Sequence, residues 1–269
     1  MGTNDYVVSL IEYNGDLIAA GGFTIAGEAT VHYTARWDGS IWYPLGYGPN
    51  LYVLSLTVYN GELIAGGGFT IIDGWKPANH IACWDGATWQ PLDSGVNSEV
   101  RSLTVYNDDL IVGGSFTNAS GVDVNHIARW DGSIWQSLGS GLNSYVWSMT
   151  IYNGELIAGG LFMSTDNVTT NYIARWDGSS WQPLGSGMNL YVRSLAVHNG
   201  DLIAGGSFTT ANGITANYIA RWDESNWQPL ESGMNDPVMS MTVYNGELIA
   251  GGWFTSAKVR RSVKATHFL

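Results

Sequence analysis

Of the side chains that catalyse reactions or hold metals, this chain offers five histidines (His32, His80, His126, His198, His267), one cysteine (Cys83), and an aspartate returning at Asp38, Asp85, Asp131, Asp177 and Asp223. Histidine ligates metals and moves protons near neutral pH, cysteine attacks as its thiolate, and paired carboxylates share acid and base work. Each of these chemistries needs its groups gathered at one place. Here they are dispersed over repeating slots. His80 and His126 stand where other copies carry Tyr172 and Tyr218, His32 lies nearby, and His198 replaces a tyrosine that ends an apolar run. Cys83 takes the place of Arg36, Arg129, Arg175 and Arg221. No His-Glu-x-x-His, Cys-x-x-Cys, Asp-x-Asp-x-Asp or Gly-x-Ser-x-Gly pattern occurs. The histidines read as structural filler, Cys83 as a buried free thiol, and the aspartates as turn residues that accept backbone hydrogen bonds from two residues on. The reading is a protein that is not an enzyme and has no cofactor or metal site.

A second set of residues suits recognition. Asn125, Asn171, Asn217, Tyr172 and Tyr218 cluster ahead of one apolar run, while Asn143, Asn189 and Asn235 close the Ser-Gly-x-Asn segments. Amides satisfy sugar hydroxyls and an aromatic ring covers the apolar face of a sugar. Shallow sites of this kind gain strength when several engage one polymer. These eight residues are the candidate ligand-binding set, for a neutral carbohydrate or a protein ligand; the plainer alternative is solvated turns. Two sequons, Asn118-Ala119-Ser120 and Asn167-Val168-Thr169, fall in the same loops.

The elements that must position these residues follow from a repeat. Trp-Asp pairs begin at Trp37, Trp84, Trp130, Trp176 and Trp222, at steps of 47, 46, 46 and 46 residues. A period of this size with four short apolar runs in each copy signals a propeller or a similar array. The repeats span about 5–50, 51–97, 98–143, 144–189, 190–235 and a partial 236–269 within one domain, 1–269. In the fourth copy the predicted strands are a (Tyr145 to Tyr152), b (Glu155 to Gly160), c (Asn171 to Asp177) and d (Ser180 to Leu184). Asn-Gly joins a to b in five copies, with Asn107-Asp108 the exception, and this pair tolerates the positive φ of a two-residue hairpin. Strand b is apolar throughout and ends in Gly-Gly, which predicts burial on both faces and close backbone approach. A turn at Gly132-Ser133 puts Trp130 opposite Trp135, and ten of the 13 tryptophans fill these two slots.

The predicted class is all-β, a propeller of four-stranded antiparallel blades, six in number with the last incomplete. A five-blade ring would expose Met239, Met241, Val243, Leu248 and Ile249, at about 1.5 to 3 kcal/mol for each large side chain. Lys264 to Leu269 alternates in a way compatible with a third strand, and the fourth strand is absent. Strand a is expected innermost, around a central channel. The open outer edge could pair with another chain, but Lys258, Arg260, Arg261 and Lys264 would oppose this, so a monomer is expected.

The 269 residues are 45% apolar and only 13% charged, with a net charge of −12, enough apolar content for a large core. An acidic surface repels phosphate backbones, so nucleic acid is excluded as a partner class, and the absence of any apolar run near 20 residues excludes helical membrane insertion. The order of strand a, Asn-Gly, a strand ending in Gly-Gly, an aromatic-Asp turn and a second aromatic resembles the kelch repeat over Tyr6 to Thr255. Phrases such as Ile-Ala-Gly-Gly-x-Phe-Thr and Ala-Arg-Trp-Asp-Gly are similar to kelch-like repeats of fungal cortical polarity proteins and of secreted bacterial propellers. The chain departs from kelch in using Trp for the usual Tyr and in a shorter Trp-to-Trp spacing. Galactose oxidase has a kelch-type propeller, but its chemistry needs a tyrosine crosslinked to a cysteine plus histidine ligands, and Cys83 sits in a strand slot. The resemblance carries the fold, while the loop residues point to a noncatalytic binding module, secreted or on the cell surface, with a structural spacer of a larger surface protein as the alternative.

Overall fold

The computed structural model describes residues 2–165 and 168–256 together with the strand Val263–His267, and all its regular structure is β. Five times the chain builds a four-stranded antiparallel sheet in the order a-b-c-d. It divides into two compact units, Met1–Ser137 with the first three blades and Leu138–Leu269 with the last three.

Blade 4 consists of Val146–Tyr152, Glu155–Gly160, Ile173–Trp176 and Trp181–Pro183. Strand b matches its predicted bounds, and the other three are shorter. Strand c starts late because Asn171 and Tyr172 hold φ at 49° and 71°, which no extended strand permits. It stops at Trp176 because the Asp177 carboxylate caps the turn that follows. The b–c connections read as loops in sequence, yet the middle of each pairs into a small hairpin such as Asn118–Ala119 with Val122–Asp123. The signal was a small or apolar residue in each, Ala26, Ile72, Ala119 and Ala211, and all four are buried.

Each a–b turn has both central residues at positive φ, as at Asn153 (49°) and Gly154 (77°). Asn107-Asp108 adopts the same shape, with Asp108 at 67° in place of a glycine. A side chain there meets steric opposition that glycine escapes. Asp108→Gly is therefore expected to stabilise the protein by about 0.5 to 1 kcal/mol, read as a rise in the urea midpoint at unchanged slope.

The apolar strand b is buried through its middle, as its composition predicts, with Leu156, Ile157 and Ala158 all fully buried; Leu17 of blade 1, 38% exposed, and the half-buried Ile249 of blade 6 are the exceptions. Its glycines act at two different contacts. A Cβ on Gly159 would stand 2.5 Å from Val192 Cγ1 of the next blade, and one on Gly160 would stand 2.0 Å from the Tyr145 carbonyl oxygen of its own strand a. Within each unit successive strands a pack together. Each seam carries a bond the sequence did not announce. Leu56 N donates to Ser9 Oγ, Leu103 N to Ser55 Oγ, Leu195 N to Ser148 Oγ and Met241 N to Ser194 Oγ. The clue was one serine recurring inside an otherwise apolar strand.

The tryptophans belong to the contacts between copies as well. Trp130 pairs with Trp135 in register with ring centroids 5.3 Å apart. The strand-d indoles also reach the preceding copy, with Trp89 Nε1 donating to Leu45 O, Trp181 Nε1 to Leu138 O and Trp227 Nε1 to Leu184 O.

Blade 6 pairs Val238–Tyr244 with Glu247–Gly252. Met241 and Leu248 are buried, Met239 and Ile249 are half-buried, and Val243 remains 41% exposed. The third strand, Val263–His267, departs from the antiparallel plan by running parallel to strand b, from Leu248↔Val263 to Gly252↔His267. In blade 5 the left-handed Tyr218 reverses the chain into strand c. Its counterpart Lys264 already lies within the strand. Lys258, Arg260, Arg261 and the side chain of Lys264 lie outside the described residues, as does Asn167 of the second sequon.

Candidate functional site

The candidate asparagines hold loops together. Asn143 Oδ1 accepts from Met163 N and Ser164 N, Asn189 Oδ1 from Thr209 N and Thr210 N, and Asn235 Oδ1 from Thr255 N and Ser256 N, all at 2.9 to 3.1 Å. Asn4, Asn50 and Asn97 do the same in the first three blades. Each d–a loop thus clamps the b–c hairpin of the blade it enters. Asn171 and Asn217 work from the other side, donating Nδ2 to Ser186 O at 2.9 Å and to Ser232 O at 3.0 Å. Asn125 is exposed at the matching position of blade 3. What these amides have left for a ligand is the rest of their hydrogen-bonding capacity.

Tyr172 and Tyr218 belong to a recurring left-handed slot just before strand c, shared with Tyr33, His80 and His126, with φ between 61° and 71°. A bulky residue at positive φ is strained, and here the ring is half-buried against the core below. The pKa values of His80 and His126 are lowered, chiefly because burial disfavours the charged ring. That fits neutral structural histidines. His198 ends strand a of blade 5, buried, with Asn199 Nδ2 3.0 Å from its Nε2.

Strand a contains the least repetitive positions. Every blade has a bulge between its first and third residue, as at Val146/Ser148. A bulge re-aims the extra residue, and that residue is Val8, Leu54, Arg101, Trp147, Arg193 or Met239 in the six blades. In unit 1, Tyr52 Oη donates to Glu99, which also pairs with Arg101. Bonding to Glu99, followed by burial, pushes the Tyr52 hydroxyl up to about 12. In unit 2, Trp147 and Tyr172 both meet Tyr191 edge-on, at 5.6 and 5.7 Å, and the Arg193 guanidinium lies 4.6 Å from the Trp147 ring centre. Of the predicted set only Tyr172 joins this group. The missed signal was the wide variation at the one position between a constant Val and a constant Ser.

The other polar candidates settle into structural places. Asp131 Oδ1 accepts from Ser133 N and Ile134 N, and all five turn aspartates do likewise. The backbone bonds hold these carboxyls low, Asp85 at about 2. The strand-c arginines pair with the acid that begins strand b, as in Arg175–Glu155 at 2.9 Å and Arg221–Asp201 at 2.9 Å. Cys83 is buried, and burial first, then Glu62, pushes its thiol up to about 11, far from a reactive thiolate. Among the described residues no three His, Cys, Asp or Glu side chains gather to hold a metal ion.

These features define a repeat protein of the β-propeller class, a module for binding, interaction or scaffolding. The chain belongs to the family of the Rax2 C-terminal beta propeller domain, whose family model matches residues 84–237. The crystal structure of the computationally designed Ika8 protein aligns at a TM-score of 0.56 and 15% identity, over 93% of this chain and 69% of that one. At that identity the likeness concerns fold alone. The computationally designed Ika4 protein aligns at a TM-score of 0.40 and 14% identity, over 65% of this chain and 92% of that one. Comparison with curated proteins gives no match. The fold is a six-bladed propeller, five of its blades four-stranded and the sixth three-stranded among the described residues.

Proposed function

We propose that this propeller is a noncatalytic recognition module of the cell surface or exterior, and that its blade loops bind neutral carbohydrate weakly at several places. The observation that carries this reading is the edge-packed cluster of Trp147, Tyr172 and Tyr191 beside the loop amides of the same unit. Aromatic surface of this kind suits the CH face of a sugar, and neighbouring amides and carbonyls can meet its hydroxyls. The family supports a surface role, and the aromatic and amide side chains of this group fit a ligand without charge. A glycan array, followed by titration with monovalent and polyvalent forms of any hit, tests it. Polyvalent ligand should bind at least tenfold tighter per sugar, and raising salt should change affinity little. Tyr172→Asn keeps a residue that tolerates left-handed backbone, so its loss of binding would report the ring rather than the fold. Lack of binding to any neutral glycan at millimolar concentration would reject the proposal.

The spacer reading rests on a different observation. In blades 1 to 5 the loop asparagine is committed to clamping its own hairpin, and in blade 6 Asn235 holds Thr255 and Ser256 in the same way, which is what a rigid structural repeat needs. It prevails if no ligand is found.

A further inference from the structure

The step of 47 residues between the first two Trp-Asp pairs, against 46 elsewhere, comes from one extra residue in the b–c hairpin of blade 2. Blades 1, 3 and 5 turn this hairpin in two residues, as at Ser120-Gly121. Blade 2 uses three, Asp73, Gly74 and Trp75, between paired Ile72 and Lys76. The added length places Trp75 at the tip of the hairpin, 74% exposed. The d–a loop that clamps this hairpin is also exceptional. It carries Tyr47 where the others carry Ser94, Ser140, Ser186 and Ser232, and Tyr47 is 60% exposed. The two departures meet, because a Cβ on Gly74 would lie 3.0 Å from the Tyr47 ring, so Tyr47 rests directly on the turn that bears Trp75. On its other side Tyr47 contacts the His32 ring, with centroids 4.4 Å apart.

Beside this aromatic ledge is an open cleft of about 430 Å³, lined by Thr24, Thr30, His32, Tyr33, Tyr47 and backbone around Asn50. The volume falls within the ordinary range for small-ligand sites. No carboxylate or guanidinium lines it. Lys76 reaches away to Trp89 O and Gln90, at 2.8 and 3.0 Å, and its ammonium lies 5.8 Å from the Trp75 ring centre, which disfavours a cationic ligand at the indole. The fold has no use for an exposed indole and phenol here, since the other blades hold the same loops with serine and a shorter turn. We infer that Tyr47, Trp75 and His32 form a single stronger binding site between blades 1 and 2 for a neutral pyranose residue, which lies on the aromatic ledge with its hydroxyls toward Thr24, Thr30 and the cleft backbone. The site rests on the carbohydrate reading of the loops, and it separates one principal site from the weaker repeated ones.

The experiment uses the whole chain and a panel of neutral probes, β-glucan, α-mannan and chito-oligosaccharides, by calorimetric titration. Trp75→Ala and Tyr47→Ala should each weaken binding of the best probe at least tenfold, with Trp75→Phe retaining most of it, because a flat ring is what the sugar needs. Both residues are surface-exposed, so a thermal unfolding midpoint within a few degrees of the parent should accompany the loss. Tyr244→Ala, which removes a similarly exposed ring outside any proposed site, should leave this strongest binding within about twofold. Full affinity in Trp75→Ala and Tyr47→Ala would overturn the inference while leaving carbohydrate binding by the other loops intact. Failure of the parent chain to bind any probe at millimolar concentration would overturn both.

Discussion

Gly160→Ala is expected to cost about 3 kcal/mol of stability, a large effect for one methyl group. The new Cβ would stand 2.0 Å from Tyr145 O and 3.1 Å from Val146 Cα, so the atoms in its way are backbone. The carbonyl cannot swing aside freely, because it accepts a hydrogen bond from Leu161 N at 2.9 Å. Relief would require undoing the bulge that begins strand a, and with it the Ser148 bond to the next blade. Gly154→Ala supplies the comparison. Its Cβ meets nothing within 4 Å, and only the φ of 77° opposes it, at about 1 to 2 kcal/mol. Urea unfolding of the two variants would measure the difference. Equal losses would show that the close approach relaxes at little cost and that the glycine pair serves only backbone freedom.

The second large effect belongs to the strand-d tryptophans. Trp227 is fully buried and its Nε1 donates to Leu184 O at 2.9 Å, so it both fills the seam between two blades and satisfies a carbonyl there. Trp227→Ala should lose about 3 to 5 kcal/mol through the cavity and lost burial. Trp227→Phe keeps most of the apolar volume but leaves the carbonyl unpaired, a loss of about 1 to 3 kcal/mol. The same change at Trp42, which is only half-buried, should cost clearly less than at Trp227. If Trp42→Ala and Trp227→Ala proved equal, the indole would be acting within its own blade rather than between blades.

The loop face shows why a fold can be legible while a site is not. The asparagines that suggested sugar contacts recur because every blade needs its hairpin clamped, so their repetition reported architecture. Residues that break the repeat, Tyr47, Trp75 and Trp147, carry the better case for recognition, since the shared fold does not demand them. The arginine of strand c gives a smaller case of the same kind. Its partner is the acid across the ladder at the start of strand b, set by register, and not the turn aspartate two residues away in sequence.

By itself the sequence determined the strands, their order within a blade and the tight turns, because these depend on short-range properties: alternation of apolar residues, the positive φ accepted by Asn-Gly, and the reach of an aspartate to the backbone beside it. It determined equally that strand b would be buried on both faces and that Trp130 would oppose Trp135. Only the tertiary structure decided what each recurring polar group is bonded to. Asn143 meets Met163 twenty residues on, Ser148 meets Leu195 in the next blade, and the last strand of blade 6 runs parallel to its neighbour. The first two of these pairs join separate copies of the repeat. A hydrogen bond is settled by distance in space over a few ångströms, and a period read along the chain does not supply that distance until the blades are packed.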